Sequence, residues 1–212
     1  VSSDYPTFLW GSNVTNATSY YVGSYAAHSS SCISTPNPVS SGDTKAFYNN
    51  HSHSDDASGH GAHVAGIIAK QSAPQGVSPN VSLYIGKVFP SNGGAYTVDI
   101  INGIQWCIDN NASIVSMSLG MAAGSCNDSV VEKVEQNAQA NLFVIAAGNS
   151  GPPGSTIDSP GCAKNALTVG AVNKSNALAG FSSRGPSLGP DGLANRTKPD
   201  VTAPGVSINS TI

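Results

Sequence analysis

Helix-like and strand-like segments alternate from His60 onward, and this alternation restricts the possible folds more than any other feature of the chain. Apolar residues recur at helical spacing after His60, over Val98–Asn110 and over Ser129–Ala140. Strands are predicted by the apolar or alternating runs Val81–Phe89, Ile114–Gly120, Leu142–Ala147 and Ala166–Val172. Strands that alternate with helices join through right-handed crossovers. We therefore expect an α/β fold, a three-layer sandwich with a mainly parallel central sheet.

The first predicted helix opens with a histidine between two glycines, Gly59-His60-Gly61. Because apolar residues follow at helical spacing from Val64, we expect His60 where a loop becomes the first turn of a buried helix. The glycines carry no Cβ, so a substrate can approach the imidazole closely. An imidazole in that position can act as a general base near neutral pH. A turn histidine without a catalytic role is the alternative.

A metal site is a third interpretation of this region. Within thirteen positions the chain carries His51, His53, Asp55, Asp56, His60 and His63. Imidazole and carboxylate groups are ligands for zinc and related metals. However, the chain has no His-Glu-x-x-His pattern, and His51 and His53 lie in a segment rich in Ser and Asn. We therefore assign no metal ligands.

Composition excludes several classes of function. Only 10% of the 212 residues are charged and the formal net charge is −3, so the chain lacks the basic surface that nucleic-acid binding requires. No apolar run approaches the roughly eighteen residues of a membrane-spanning helix. The length suits one domain with a substantial core. Residues 1–4 do not resemble a signal peptide, so we expect any such segment to have been removed or to lie outside this chain.

Glycosylation signals and cysteines favour an extracellular or cell-surface location. Nine Asn-x-Ser/Thr sequons begin at Asn13, Asn16, Asn50, Asn80, Asn111, Asn127, Asn173, Asn195 and Asn209. Four cysteines in a chain of low charge fit a secreted protein. Cys32, Cys107, Cys126 and Cys162 permit three pairings, among which the sequence does not choose. Four buried thiols are the alternative.

Two predicted strands end in small residues and glycine. These ends are Ser118-Leu119-Gly120 and Ala147-Gly148-Asn149-Ser150-Gly151. In doubly wound sheets, binding sites form at the carboxyl ends of strands. Glycine exposes backbone amides there, and the side-chain amide of Asn149 could donate a hydrogen bond to a developing oxyanion. A plain Gly-Asn turn is the alternative.

Taken together, these segments resemble the subtilisin-like serine peptidase family. Residues 60–66, His-Gly-Ala-His-Val-Ala-Gly, are similar to its histidine motif, with Ala62 in place of the more usual threonine. Further segments match in the family's order. Residues 116–120 resemble the strand that pairs with substrate, and residues 146–151 resemble the oxyanion segment. Residues 159–161 with 167–172 resemble the strand that follows, and residues 181–186 with 198–208 resemble the run that leads towards the nucleophile. The matches extend over residues 58–211.

The resemblance implies a partial subtilisin-like peptidase domain over residues 58–212, truncated at its C-terminus. It is preceded by an irregular N-terminal segment, residues 1–57, that contains a degenerate first strand region. It implies a role for each matching segment: His60 is the general base, Asn149 the oxyanion donor, Ser118, Leu119 and Gly120 the strand that binds the substrate backbone, and Ala146, Ala147 and Gly148 one wall of the specificity pocket. Calcium is common in the family, but no ligand set for it is recognisable here, so no cofactor is assigned.

Two parts of the family's catalytic set are missing from the 212 residues. The nucleophile's Gly-Thr-Ser-Met-Ala type motif would follow the 198–208 run and fall beyond Ile212. The aspartate motif, an apolar strand ending in Asp-Thr/Ser-Gly before the histidine, is also absent, and Ser30 stands at its spacing. Ser30 cannot supply the negative charge that stabilises an imidazolium. Asp43, Asp55 and Asp56 are alternatives, although none follows an apolar strand.

Two functions fit this incomplete set. The first is a subtilisin-like endopeptidase domain that hydrolyses peptide bonds by acyl transfer, inactive as this chain alone and completed by a segment elsewhere. Its partner would be a peptide or protein substrate. The second is a non-catalytic glycoprotein of the same fold that acts as a structural or binding module in an extracellular assembly. In both cases uncovered apolar strand faces would favour a partner segment, a partner chain, self-assembly or heavy glycan cover.

One disulfide is predicted more specifically. Cys126 and Cys162 flank the strand that precedes Asn149, and both lie next to loop segments near one edge of the expected sheet. We therefore expect these two residues to be bonded to each other.

Overall fold

The structure is a computed structural model of the chain, and it describes residues 18–23, 46–48, 59–71, 75–79, 81–89, 94–122, 126–189 and 194–210. The chain divides into two compact units. The first comprises residues 1–116 with residues 209–212, and the second comprises residues 117–208.

The first unit contains a parallel sheet with two helices. Its elements are β1 (Thr18–Gly23), β2 (Ala46–Tyr48), α1 (His60–Ala69), β3 (Ser82–Lys87), α2 (Thr97–Asp109) and β4 (Ile114–Met117). The strands pair in the order β2-β3-β1-β4, and each pair of neighbours is parallel. β1 therefore lies inside the sheet, between β3 and β4.

Helices cover both faces of β3. On one face, the apolar side of α1 packs against Leu83 and Ile85. On the other face, the ring of Trp106 in α2 meets the ring of Tyr84 edge-on, with 6.2 Å between the ring centroids. Successive strand residues point to opposite faces of a sheet, so these contacts place the two helices in separate layers. The expected three-layer α/β arrangement is confirmed.

The second unit contains α3 (Ser129–Asn137) and a second set of parallel strands, β5 (Leu142–Ala146), β6 (Leu167–Val172) and β9 (Val201–Pro204), with β6 between the other two. A separate antiparallel pair is formed by β7 (Ser187–Leu188) and β8 (Ala194–Arg196). The core side of α3 is made by Val130, Val131 and Val134, which are all buried. Across the described ranges, no helix is both long and apolar enough to cross a membrane.

Two predicted boundaries are wrong by a few residues, and one segment predicted to be irregular contains a strand. Each difference is due to a contact distant in sequence or to a turn. The strand predicted over Ile114–Gly120 ends at Met117, since the chain beyond it leaves the sheet to pair with Ser159. The helix predicted to Ala140 ends at Asn137, whose carbonyl accepts turn hydrogen bonds from Ala140 and Asn141. The N-terminal segment, residues 1–57, was expected to be mostly irregular, but it contains β2, a short strand whose pairing with β3 is not encoded locally.

A buried ion pair holds the start of β9 against β6. Lys198 is 5% exposed, and its Nζ lies 2.7 Å from Asp200 Oδ2 and donates to the carbonyl of Ala166 at 2.7 Å. Asp200 Oδ2 also accepts from the backbone N–H of Thr168 at 2.7 Å. The Asp200 side chain remains about one-third exposed, with 34% of its surface accessible. The carboxylate therefore neutralises a lysine that would otherwise be buried without a counter-charge.

Replacing the acid of this pair should destabilise the protein. We expect Asp200→Ala to lower the free energy of unfolding by about 2 kcal/mol, less than for a fully buried pair because Asp200 is partly exposed. Urea denaturation measures the effect. The double variant Lys198→Met with Asp200→Ala should recover at least half of the loss, because no buried charge remains. Asp109→Ala, at an exposed position of α2, should change stability by less than about 0.5 kcal/mol. Equal losses in the single and double variants would contradict the explanation.

Candidate active site

His60 lies at the first position of α1, where the sequence placed it. Gly59, directly before it, has a φ of 72°, a left-handed conformation that favours glycine. The carbonyl of Gly59 accepts the first helical hydrogen bond, from the N–H of His63 at 2.9 Å. His60 is half-buried. The imidazole is therefore attached at the N-terminal end of a helix and retains access to solvent.

Asn149 lies in a loop that follows β5 and is held by backbone hydrogen bonds on both sides. The N–H of Ala147 donates to the carbonyl of Val169 at 2.9 Å, and the N–H of Gly151 donates to the carbonyl of Phe181 at 2.9 Å. Ser183 fixes the middle of the loop, since its Oγ accepts from the N–H of Ser150 at 2.9 Å. Asn149 itself is exposed. Its side-chain amide is thus presented to solvent from an ordered loop.

Ser118, Leu119 and Gly120 follow β4 and lead to a two-way backbone pairing. Met121 and Ser159 each donate their N–H to the other's carbonyl at 2.9 Å. Leu119 is buried, whereas Gly120 is exposed. The second unit therefore brings residues 118–121 and 146–149 next to one intervening segment, residues 158–159, because Asp158 also donates its N–H to the carbonyl of Ala147 at 2.9 Å.

Asp158 is a residue of this region that the sequence analysis did not select. It is only 9% exposed, and its carboxylate accepts hydrogen bonds from the backbone N–H of Asn149 and from Ser150 Oγ, the latter at 3.4 Å. Burial raises the pKa of the Asp158 carboxyl above its ordinary value, and these two hydrogen bonds oppose the rise. A signal was present in the sequence, since an acidic residue directly precedes the Ser159-Pro160-Gly161 motif in a chain with only 12 acidic residues.

A disulfide and a helix cap anchor the Asp158 segment. Cys126 and Cys162 are bonded, with 5.9 Å between their Cα atoms, and they are the pair that the sequence analysis proposed. Asp128 caps α3 by accepting from the N–H groups of Val130 and Val131 through Oδ1 at 3.0 and 3.1 Å. Its other oxygen accepts from Ser159 Oγ. The covalent bond and the cap thus hold the residues that follow Asp158.

The remaining candidates divide between described and undescribed residues. Of the sequons, Asn111, Asn127 and Asn209 are exposed, and Asn195 lies in β8. Asn173 is half-buried, and its Oδ1 accepts from the N–H groups of Ser175 and Ala177. The residues that lie outside the described ranges are Asn13, Asn16, Asn50, Asn80, Ser30, Cys32, Asp43, His51, His53, Asp55 and Asp56. Among the described residues, no three His, Cys, Asp or Glu side chains cluster as metal ligands. Cys107 is a free thiol, and its burial strongly raises its pKa.

Comparison with known proteins points to one family. A sequence profile of the subtilase family matches residues 19–212. Subtilisin E of Bacillus subtilis strain 168 is 43% identical over 164 residues, which cover 74% of this chain and 39% of that protein. The serine protease AprX of the same strain is 38% identical over 179 residues, covering 73% and 39%. The chain thus spans about two-fifths of the length of these curated relatives.

Solved structures agree with the sequence comparison. A crystal structure of a cold-adapted subtilisin-like serine proteinase superposes with a TM-score of 0.69 and 26% identity, over 92% of this chain and 65% of that one. The subtilisin-like protease Apa1 of Pseudoalteromonas sp. AS-11 superposes with a TM-score of 0.67, over 89% and 41% of the two chains. At 23% identity, the second likeness concerns the fold alone.

Gly148 is expected to tolerate no side chain. Its φ is 110°, and a Cβ at this position would collide with the Asp158 carboxylate. We expect Gly148→Ala to lower the free energy of unfolding by about 2 kcal/mol, as measured by urea denaturation. Gly180→Ala is the matched control, because a Cβ there meets nothing within 4 Å, and it should cost less than about 0.5 kcal/mol. Similar losses in both variants would show that the Asp158 contact is not the cause.

The raised pKa of Asp158 should make stability depend on pH. A carboxyl whose pKa is higher in the folded than in the unfolded protein favours folding while it is protonated. This contribution is complete below the unfolded pKa and is lost as the pH rises through the higher, folded pKa. In urea denaturation across this range, Asp158→Asn should lack that loss. Ser150→Ala removes a hydrogen bond to the ionised form, so the loss should move to higher pH. Superimposable pH profiles for all three proteins would rule this out.

Proposed function

Because the chain belongs to the subtilase family, we propose that it carries the general base and the oxyanion donor of a subtilisin-like serine endopeptidase. The single observation that supports these roles best is the state of Asn149. This residue is exposed on a loop fixed by hydrogen bonds to Ser183, Phe181 and Asp158, as a preorganised donor must be. The relatives that carry a protease name support the reaction class.

In the proposed reaction, each residue acts at a defined atom. A serine hydroxyl attacks the carbonyl carbon of the scissile peptide bond, and the imidazole of His60 accepts the hydroxyl proton and then gives it to the leaving amine. The side-chain N–H of Asn149 donates to the oxygen that gains negative charge. Water then hydrolyses the acyl-enzyme by the same route. Residues 118–120 and 146–148 would hold the substrate backbone beside the reacting bond.

The 212 residues do not contain the whole catalytic set, so we propose that this chain alone does not hydrolyse peptides. They contain no Gly-Thr-Ser-Met-Ala type motif that could supply the nucleophile. The interior strand that precedes His60 is β1, Thr-Ser-Tyr-Tyr-Val-Gly, and it carries no aspartate to orient the imidazole. A complementary segment, on the same polypeptide or another, would supply these groups. Peptides or proteins outside the cell would be the substrates, consistent with the sequons and the disulfide.

A second candidate function is a non-catalytic subtilase-fold glycoprotein that serves as a binding or structural module. The observation that favours it is β1, because an aspartate-free strand occupies the interior of the sheet. The two functions predict different coding sequences after Ile212 in the reading frame that encodes the chain. A serine motif beyond Ile212, together with labelling of the gene product by a serine-directed covalent probe, would support the peptidase. A frame that lacks the motif would support the module.

The proposed roles can be tested by supplying the missing parts from a relative. The 212-residue chain should not cleave a fluorogenic peptide, whereas subtilisin E with residues 59–210 of this chain in place of its matching segment should. In this chimera we expect Asn149→Ala to lower kcat by about 10²–10³-fold, the range known for loss of the oxyanion asparagine from subtilisin itself. His60→Ala should lower kcat by about 10⁶-fold, again as in subtilisin.

His63→Ala is the matched control for His60, because it removes an imidazole one turn further along α1. It should leave kcat within about tenfold of the unmodified chimera, since no proton transfer is assigned to it. Cleavage by the 212-residue chain alone that His60→Ala abolishes would overturn the proposed inactivity. An active chimera that is insensitive to both His60→Ala and Asn149→Ala would overturn the proposed roles.

A further inference from the structure

Asn173 begins a tight turn directly after β6, and it is the first residue of the sequon Asn173-Lys174-Ser175. The chain reverses its direction in this turn, because Val172 and Leu178 form an antiparallel bridge. Inside the bridge, the N–H of Asn173 donates to the carbonyl of Ala177 at 2.9 Å. The sequon therefore has a defined conformation in the folded protein.

The side-chain oxygen of Asn173 holds this turn together. Oδ1 accepts from the N–H of Ser175 at 2.9 Å and from the N–H of Ala177 at 3.0 Å, so the side chain takes the place of a backbone acceptor. Oxygen and nitrogen are bonded to the same planar carbon, and the nitrogen therefore points away from these two N–H groups. Within the described ranges Nδ2 donates no hydrogen bond, and it is not among the buried polar atoms that lack a partner. The nitrogen is thus available for modification.

The turn has an exposed tip, residues 175–178. The Leu178 side chain is 43% exposed, and that of Phe181, in the segment that returns from the turn, is 42% exposed. Exposed loop tips with small and polar residues are the preferred sites of proteolytic nicking. The tip therefore offers a protease an accessible stretch of chain with apolar side chains next to it.

A cut in this tip would weaken the support of the loop that carries Asn149. The segment that returns from the turn contains Phe181 and Ser183, whose carbonyl and hydroxyl oxygens accept hydrogen bonds from that loop. After a cut at residues 175–178, this segment would be joined to the chain at one end only, so it would open at a lower cost in free energy. Protection of the tip would therefore preserve the order of the loop.

We propose that Nδ2 of Asn173 carries an N-linked glycan and that this glycan shields the tip, residues 175–178, from proteolysis. The inference goes beyond the proposed function, because glycosylation requires neither a nucleophile nor a general base from this chain. In the transfer, Nδ2 attacks the anomeric carbon of an oligosaccharide linked to a lipid diphosphate. The N–C bond forms as the C–O bond to the diphosphate breaks, the diphosphate leaves with the electron pair, and one Nδ2 proton passes to a base of the transferase. Oδ1 is unchanged, so the turn keeps both of its hydrogen bonds.

The first experiment determines whether Asn173 is occupied. The 212-residue chain is secreted from a eukaryotic cell line, and glycosidase treatment in heavy-oxygen water converts each glycosylated asparagine to a labelled aspartate, which peptide mass spectrometry locates. We expect the label at residue 173 in most molecules of the unsubstituted chain and of Ser175→Thr, which keeps the sequon.

Ser175→Ala and Asn173→Asp are the matched controls, because each destroys the sequon and keeps the turn. Both retain an acceptor oxygen at residue 173 and the two backbone N–H groups that donate to it. Neither variant should be labelled at residue 173. An unlabelled residue 173 in the secreted, unsubstituted chain would overturn the proposal and leave the proposed function intact.

The second experiment tests the shielding with chymotrypsin, which cuts after Leu178 and Phe181. Cleavage there should be at least about threefold faster in Ser175→Ala than in the glycosylated chain, and enzymatic removal of the glycan from the unsubstituted chain should accelerate it equally. Tyr96, which is 61% exposed, is the control site, and cleavage after it should proceed at the same rate in every sample. Equal rates after Leu178 with and without the glycan would overturn the shielding. An equal acceleration after Tyr96 would also overturn it, because general unfolding would then be the cause.

Discussion

The loop that carries Asn149 depends on the close approach of the Asp158 carboxylate to Gly148. Gly148 adopts a φ of 110°, which other residues rarely adopt, and its lack of a side chain leaves room for the acid. The acid in turn accepts from the N–H of Asn149 and the hydroxyl of Ser150. Because these two hydrogen bonds fix the loop on the Asp158 side, Asn149 is exposed to solvent on an ordered loop. Asn149 and the acid beside it are therefore parts of one arrangement.

Local patterns were sufficient to locate the elements whose burial is periodic. Helical spacing after His60 placed this residue at the first position of α1, and the apolar run at Leu142–Ala147 located β5 to within one residue. The inward positions of α3 were likewise readable, because Val130, Val131 and Val134 repeat with the helix period. Asn149 could be selected from sequence because it follows a glycine at the carboxyl end of a buried strand, where sites form in such sheets.

The features that the sequence did not predict depend on contacts between residues distant in sequence. β2 exists because Ala46–Tyr48 pair with β3, and three residues carry too little periodicity to predict a strand. The departure of residues 118–120 from β4 depends on the pairing of Met121 with Ser159, 38 positions further along the chain. Asp158 itself gains its environment from Gly120, Gly148 and Asn149, none of which is its sequence neighbour. The sequence showed that Asp158 is an acidic residue in a chain with few of them, but it did not show that Asp158 is buried.

The close approach of Gly148 to Asp158 also limits how this chain could diverge. A side chain added at position 148 would meet both the Asp158 carboxylate and the Ser183 hydroxyl, and the backbone there holds a φ that residues with a side chain rarely adopt. Loss of the carboxylate alone would therefore not open position 148 to substitution. Divergence is less restricted at position 158, where a smaller side chain requires no change at the glycine.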